Sequence, residues 1–345
     1  METKKRNYAI DCLKGFAIIL VVLGHVMDGY LKTDIFLNQR NYIFNIFNYI
    51  YAFHMPLFFI ISGFVFQLAY VTGDSTKPKL KVQLLNLVCV YLVFNLLFGI
   101  FKIFCGRFTN ADVSWIDILL IPIKSIPPYW YLYVLILYYL IFLLPFMLKI
   151  KPSILLGISI FLGFMGSFLP SSYFDFFEAR RFLYYLPFFY LGMLIKKGWV
   201  KEFRLHILTI VSVVASALLM IKFHGRLYNS IPIVSLIIAL GCSMLIYQVF
   251  MLLCINPCNI GVKTLSKIGQ YSLEIYLIHC VFTSSIRIMF SRLGFNNFVL
   301  CIVINCFLSL LIPIFISIIM KKLKIHDLLF KPISFIKSKG VISNV

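Results

Sequence analysis

The sequence predicts an all-α protein: a polytopic membrane helical bundle with about ten transmembrane helices and both termini in the cytoplasm. Hydrophobic residues make up 61% of the 345 residues and charged residues only 13%, which excludes an ordinary soluble domain. The apolar residues also fall in continuous blocks of about 20, long enough for a helix to cross a hydrocarbon core of about 30 Å. A membrane β-barrel is excluded because its strands would show short alternating patterns instead.

Each apolar block is assigned a helix, since a segment in lipid must satisfy its own backbone hydrogen bonds. The first block follows a basic N-terminus, as in a signal peptide, but no small-residue cleavage pattern follows it, so it is predicted as the first span. Residues 1–320 are predicted to form the integral-membrane domain and residues 321–345 a basic cytoplasmic tail. The predicted spans are residues 8–29, 43–70, 82–104, 129–148, 153–170, 180–195, 205–222, 231–255, 271–290 and 297–320.

Basic residues define the predicted orientation. The chain has 32 Lys and Arg against 12 Asp and Glu, a net charge of +20. With both ends inside, 20 basic residues lie on the cytoplasmic side, 11 on the other side and Lys14 within the first span, as the positive-inside rule requires. Because these residues are spread between the spans, no nucleic-acid partner is expected. Ile333, Phe335 and Ile336 among the tail lysines indicate contact with anionic membrane lipids.

The nine cysteines lie mostly inside or at the ends of apolar segments, a distribution that predicts no disulfide framework. Cys254 and Cys258 flank three residues at a spacing that a metal site can use, but no second ligand pair accompanies them. The sequence therefore predicts no metal site.

Ionisable residues within apolar spans need a reason, because a charge in the bilayer costs several kcal/mol unless it meets a partner or a polar cavity. Lys14 and His25 are eleven residues apart, which places them on one face of the first helix, about 16 Å apart along its axis. Two ordinary explanations remain open: Lys14 snorkels to the interface, and Asp28 forms a simple ion pair near His25. The residues of this kind are Asp11, Lys14, His25, His54, Glu274 and His279.

His54 and His279 are each predicted near the middle of a span. Pro56 lies two residues after His54 and favours a kink that frees a backbone carbonyl, although a histidine bonded across two helices explains the same pattern. Three histidines on three spans can in principle bind a metal. Because no cysteine or carboxylate stands at ligand spacing beside them, proton chemistry is the favoured interpretation.

Two further groups have both an ordinary and a functional interpretation. Lys77, Lys79 and Lys81 lie in a predicted cytoplasmic loop where a phosphorylated ligand would arrive, but topology alone explains most such loops. Trp130 and its neighbouring tyrosines are typical of an interfacial aromatic belt.

Several segments, taken in order, resemble the membrane acyltransferase family 3, the multi-spanning O-acyltransferases of surface polysaccharides. The first is similar to the family's Asp-x-x-Arg-Gly start with a histidine eleven residues after the basic position; here it includes Asp11, Lys14, Gly15 and His25. The others are residues 53–64, 130–132, 188–192 and 265–279. The resemblance covers nearly the whole chain.

The resemblance implies roles for the ionisable residues. It makes His25 the leading catalytic candidate and His54 a second one. The donor-binding candidates are Lys14, Lys77, Lys79 and Lys81. Asp11, Asp28, Glu274 and His279 are supporting candidates. Lys14 replaces the usual arginine, which keeps the charge but loses bidentate phosphate geometry, and Glu274 stands where relatives more often have a small or apolar residue. No extracytoplasmic hydrolase-like domain is expected, so transfer finishes on the membrane domain or with a separate partner.

The implied activity is transfer of an acetyl group from acetyl-CoA, a co-substrate, to a hydroxyl of a cell-surface polysaccharide or its lipid-linked precursor at the cytoplasmic membrane. No bound cofactor is expected, and His25 acts either as a general base or as a transient nucleophile. A proton-coupled transporter or flippase of a sugar intermediate is the main alternative, since buried His, Glu and Asp also suit proton relays. A structural or sensor membrane protein is a third. The residues do not choose between acetyl and succinyl, name the acceptor glycan or give the oligomeric state.

Overall fold

The structure, a computed structural model, describes residues 8–33, 35–71, 76–104, 113–144, 150–169, 176–200, 202–223, 232–254 and 259–338. Regular structure in these ranges is helical, without strands, and every predicted span corresponds to a helix. The helices are α1 (Tyr8–Leu31), α2 (Arg40–Val71), α3 (Thr76–Phe104), α4 (Trp115–Leu119), α5 (Trp130–Phe142), α6 (Pro152–Phe168), α7 (Ala179–Lys197), α8 (Glu202–Phe223), α9 (Pro232–Leu253), α10 (Ile260–Gln270), α11 (Ser272–Arg292), α12 (Phe298–Lys322), α13 (His326–Phe330) and α14 (Pro332–Ser338).

Six helices in the described part of the chain are long and apolar enough to cross a membrane, namely α1, α2, α3, α9, α11 and α12. Helices α5 and α6 and most of α8 are apolar but shorter. The predicted all-α membrane fold is thus confirmed. The placement of both termini in the cytoplasm stays a prediction.

The chain divides into two compact units. Unit 1 comprises Met1–Ile61 and Lys201–Ile316, and unit 2 comprises Ser62–Val200 and Ser317–Val345. The chain passes from one unit to the other three times: within α2, between Val200 and Lys201, and within α12. The predicted division into residues 1–320 and 321–345 stays a prediction.

In unit 1, helix α1 is the central element and packs against α9, α10 and α11. Its approach to α10 depends on glycine. A Cβ atom at Gly15 would overlap the carbonyl of Leu265, and one at Gly269 would overlap the carbonyl of Asp11. Two helix backbones can come this close only where side chains are absent. The two glycines lie in the first and the last of the segments that carry the family resemblance.

In unit 2, aromatic side chains fill the space between α2, α5 and α7. Phe66, at the end of α2, meets Tyr139 edge-on with ring centroids 4.7 Å apart and lies 5.8 Å from Phe189. Helix α14 docks on α3 through Asn86, whose Oδ1 accepts from the backbone N–H of Ile333 at 2.9 Å. The Asn86 amide also donates to Ser334 Oγ at 2.8 Å.

Four short helices were not predicted, namely α4, α10, α13 and α14. Each is too short or too polar to stand out as an apolar block. Helix α4 is stabilised by a capping box, in which the hydroxyl of Ser114 accepts from the backbone N–H of Asp117 and the Asp117 carboxylate accepts in return from Ser114.

Candidate functional site

The candidate site lies in unit 1, between α1 and α11. The rings of His25 and His279 are 5.1 Å apart between centroids and tilted by 55°. His25 is half-buried, whereas His279 is completely buried. Two residues that the sequence predicted separately, on its first and ninth spans, therefore form one pair.

The surroundings of His279 determine which of its two ring nitrogens carries the hydrogen. Nδ1 lies 2.8 Å from the carbonyl oxygen of Ile275 and 2.9 Å from that of Tyr276. Carbonyl oxygens only accept hydrogen bonds, so Nδ1 carries the hydrogen. In the neutral ring Nε2 is then unprotonated and available as an acceptor or base.

Cys280 completes the cluster. Its Sγ lies 3.2 Å from Nε2 of His279, and since Nε2 is the acceptor, the thiol donates. Sequence reasoning missed this residue because adjacent residues on a helix do not normally face each other. The sequence signal that could have identified Cys280 is its position directly after a histidine within a span that carries several polar residues.

The three residues His25, His279 and Cys280 form a group whose ligand atoms lie within 4.8 Å of one another and could hold a metal ion. Imidazole nitrogen and thiolate sulfur are donors that zinc accepts. Tetrahedral zinc needs its ligands about 3.3 to 3.8 Å apart, so the group would have to contract. The expectation that no cysteine lies near the histidines is wrong, and the predicted absence of a metal stays a prediction.

Lys14 lies on α1 beside the crossing with α10. The crossing is fixed by the two glycines and by the thiol of Cys12, which donates to the carbonyl of Val262 at 3.3 Å. Helix α10 carries two exposed lysines on either side of this contact, Lys263 and Lys267. In the sequence analysis these two lysines serve only as evidence for the orientation of the protein in the membrane. They add cations to the part of unit 1 that holds Lys14.

The other predicted donor-binding lysines lie elsewhere. Lys81 is exposed on α3 and belongs to unit 2. The side chains of Lys77 and Lys79 lie outside the described residues. The structure thus places Lys14, but not these three, in the same unit as the histidine pair.

His54 has a local environment of its own. It is 4% exposed, its Nδ1 lies 2.7 Å from the carbonyl oxygen of Ile50, and its ring meets that of Tyr51 edge-on at 4.7 Å. Tyr51 in turn lies against Gly24, where a Cβ atom would come within 2.9 Å of the tyrosine ring. His54 is therefore linked to the residue before His25 through Tyr51, and its catalytic role stays a prediction.

The supporting carboxylates lie at different places on α1 and α11. Asp11 stands at the α10 crossing, and Glu274 is buried in the first turn of α11, where the helix dipole favours a negative charge. Asp28 forms an ion pair with Lys32 at 2.6 Å. Gly29, the next residue, lies against Arg287: a Cβ atom at Gly29 would be 3.2 Å from Nε of the arginine. Arg287 is a buried cation, and the sequence analysis considered it only as evidence for membrane orientation.

The family described as an acyltransferase domain, acyltransferase family 3, matches residues 7–318. The Nodulation protein NolL of Sinorhizobium fredii is 46% identical over 61 residues, 17% of this chain and 16% of that protein. The Nodulation protein NolL of Mesorhizobium japonicum is 36% identical over 77 residues, 22% of this chain and 19% of that protein. These matches span less than a fifth of either relative, and no solved structure matches.

The family match includes helices α1 to α11 and most of α12, so it contains every residue of the candidate site. Several long apolar helices agree with a protein that crosses the membrane repeatedly. The chain therefore belongs to acyltransferase family 3 and is a multi-pass membrane protein.

Proposed function

We propose that the protein transfers an acetyl group from acetyl-CoA to a hydroxyl of a cell-surface polysaccharide or its lipid-linked precursor, at the cytoplasmic membrane. The observation that carries this proposal is the His25–His279 pair. The spacing of eleven residues between Lys14 and His25 supports it, since residues eleven apart share one face of a helix. Acetyl-CoA is a co-substrate, and no resident cofactor takes part. The membrane lipids are its other partner, and no nucleic acid is involved.

The donor is held by cations at one end of α1 and reacts at the histidine pair. Lys14 is eleven residues before His25, which is about 16 Å along the helix axis and comparable to an extended pantetheine arm. Lys14, assisted by Lys263 and Lys267 on α10, binds the donor phosphates. Lys77, Lys79 and Lys81 are further cations on the same, predicted cytoplasmic, side of the membrane.

His25 acts as the general base on the acceptor hydroxyl. It is the half-buried member of the pair, so an acceptor can reach it, whereas His279 is enclosed. An imidazole within reach of the acceptor hydroxyl suits proton removal. His54 supports the α1 backbone through Tyr51, and Asp11, Asp28 and Glu274 are supporting residues of the same unit.

The experiment is transfer of radiolabelled acetyl-CoA to glycan in membranes that contain the wild type, His25→Ala or His206→Ala. His206 is exposed on α8 and bonded to Gln248 at 2.7 Å, so it is a matched histidine control. We expect base-labile label on the glycan with the wild type and the control, and a loss of about 10²- to 10⁴-fold with His25→Ala. Full transfer by His25→Ala at normal protein level would contradict the catalytic role of His25. Sugar movement without any new ester would instead favour the transporter.

A further inference from the structure

The thiol of Cys280 has a partner that other cysteines of the described chain do not have. Cys12 donates to the carbonyl of Val262 at 3.3 Å, and Cys301 donates to the carbonyl of Phe295 at 3.4 Å. A carbonyl oxygen cannot take the thiol proton at neutral pH. Cys280 donates to Nε2 of His279, a nitrogen that can.

We infer that Cys280 is the nucleophile of this acyltransferase, and that it carries the acetyl group as a thioester between acetyl-CoA and the acceptor. This inference rests on the proposed function and adds a covalent step to it. Three features of the site support it: the hydrogen bond from the thiol to His279, the fixed proton on His279 Nδ1, and the nearby ring of His25.

The arrangement matches what an activated thiol requires. The thiolate, not the thiol, is the attacking species, and a base within hydrogen-bond reach generates it. The base must be oriented by a third group, and here the carbonyls of Ile275 and Tyr276 hold the ring through Nδ1. Cys280 is half-buried, so its sulfur is less enclosed than the histidine beside it.

In the first step the proton of Cys280 Sγ moves to Nε2 of His279 while the sulfur attacks the carbonyl carbon of acetyl-CoA. The new carbon–sulfur bond to Cys280 forms, and the bond between that carbon and the CoA sulfur breaks. The CoA thiolate then takes the proton from His279. The products are free CoA and acetylated Cys280, and no redox change occurs.

In the second step the acceptor hydroxyl attacks the acetyl carbon on Cys280, and its proton moves to His25. The ester bond forms, and the carbon–sulfur bond to Cys280 breaks. The proton from His25 returns to the thiolate. Because the ligand atoms of His25, His279 and Cys280 lie within 4.8 Å of one another, an acetyl group on Cys280 lies beside the His25 ring.

A bound metal is the alternative use of the same three residues. It would hold the sulfur as a ligand and prevent its acetylation. The two uses therefore differ in metal content and in covalent labelling. Both are measured on one preparation of the purified full-length protein.

The experiment incubates the detergent-purified protein with radiolabelled acetyl-CoA without acceptor, denatures it and treats it with neutral hydroxylamine, which cleaves thioesters. The variants are Cys280→Ala, Cys280→Ser and, as a control, Cys306→Ala, a half-buried free cysteine on α12. We expect hydroxylamine-labile label on the wild type and on the control, with the acetyl group on Cys280 by peptide mass spectrometry. Both Cys280 variants lose that label, keep the melting temperature of the wild type and transfer acetyl to glycan about a hundredfold more slowly or worse.

Three results are decisive. Glycan acetylation by Cys280→Ala at the wild-type rate overturns the inference and leaves the proposed function intact. One equivalent of zinc in the wild type, lost in Cys280→Ala and accompanied by no protein label, overturns it in favour of a metal site. Absence of glycan acetylation by the wild type, with labelled Cys280, contradicts the proposed glycan acceptor but supports the covalent step.

Discussion

The crossing of α1 and α10 makes a quantitative prediction for Gly269→Ala. A Cβ atom there would overlap the Asp11 carbonyl oxygen and lie 2.8 Å from both Asp11 C and Gly15 N, all backbone atoms that cannot rotate away. An ordinary contact needs about 3.4 Å and the Asp11 oxygen lies 1.8 Å away, so this contact must open by about 1.6 Å. Overpacking of this kind costs about 1 to 3 kcal/mol, offset by at most about 1 kcal/mol from the better helix propensity of alanine.

The expected net loss is up to about 3 kcal/mol. Because 345 residues have an unfolding entropy of about 0.7 kcal/mol/K, the melting temperature falls by up to about 4 °C. The assay is thermal unfolding of the detergent-solubilised protein. Gly261→Ala on the same helix is the control, because a Cβ there meets only the Asn259 side chain at 3.3 Å. Displacing α10 also moves Lys263 and Lys267 relative to Lys14, so the KM for acetyl-CoA rises more than kcat falls. Identical melting temperatures for the two alanine variants would refute the argument that backbone contact at Gly269 holds α10 on α1.

Three other predictions follow from the same contacts. Lys14→Ala raises the KM for acetyl-CoA about tenfold or more, whereas Lys14→Arg retains wild-type donor use because the guanidinium keeps the charge and adds bidentate geometry; acetyl-CoA titrations of membrane vesicles compare them. His279→Ala lowers kcat by about 10²- to 10⁴-fold with an unchanged KM for acetyl-CoA, and His279→Asn, which keeps a donor in place of Nδ1 but has no Nε2, loses as much; wild-type kcat in His279→Asn would show that only positioning matters. Asn86→Ala lowers the free energy of unfolding by about 1 to 3 kcal/mol, because the backbone N–H of Ile333 loses its acceptor. Limited trypsin digestion measures the effect: the C-terminal segment is cleaved faster in Asn86→Ala than in Ser334→Ala, which removes only the bond from the Asn86 amide to Ser334.

The membrane fold was predictable from the sequence because each apolar block forms its helix independently of the others. The packing between helices was not, since hydropathy carries no information on which span meets which. Helix α10 shows what hydropathy misses. Its polar, amphipathic sequence resembles a charged loop, and only the close backbone contacts at Gly15 and Gly269 show that it packs against α1. The family resemblance had nevertheless singled out both segments.

The candidate site was predicted in its parts but not in its assembly. His25 and His279 were chosen because a polar residue in a span is costly, and that argument holds for each residue alone. Their contact depends on α1 and α11 lying side by side, which is a long-range pairing. Cys280 was not predicted because a cysteine in an apolar span is common. What distinguishes it is the contact of its sulfur with Nε2 of His279, which the sequence does not reveal.

The charges along α1 and α11 form an order that fits the proposed reaction. Lys14 and the α10 lysines stand at one end, the histidine pair follows about 16 Å along, and buried Arg287 lies beside Gly29 about one turn beyond His25. Acetyl-CoA has the same order, with phosphates at one end and a neutral thioester at the other. A donor held by its phosphates therefore brings its uncharged carbonyl to the histidine pair, whereas placing a charged group there would cost desolvation in the protein interior. Arg287 then stands on the side of the pair away from Lys14, which in the proposed reaction is the side left open for the acceptor.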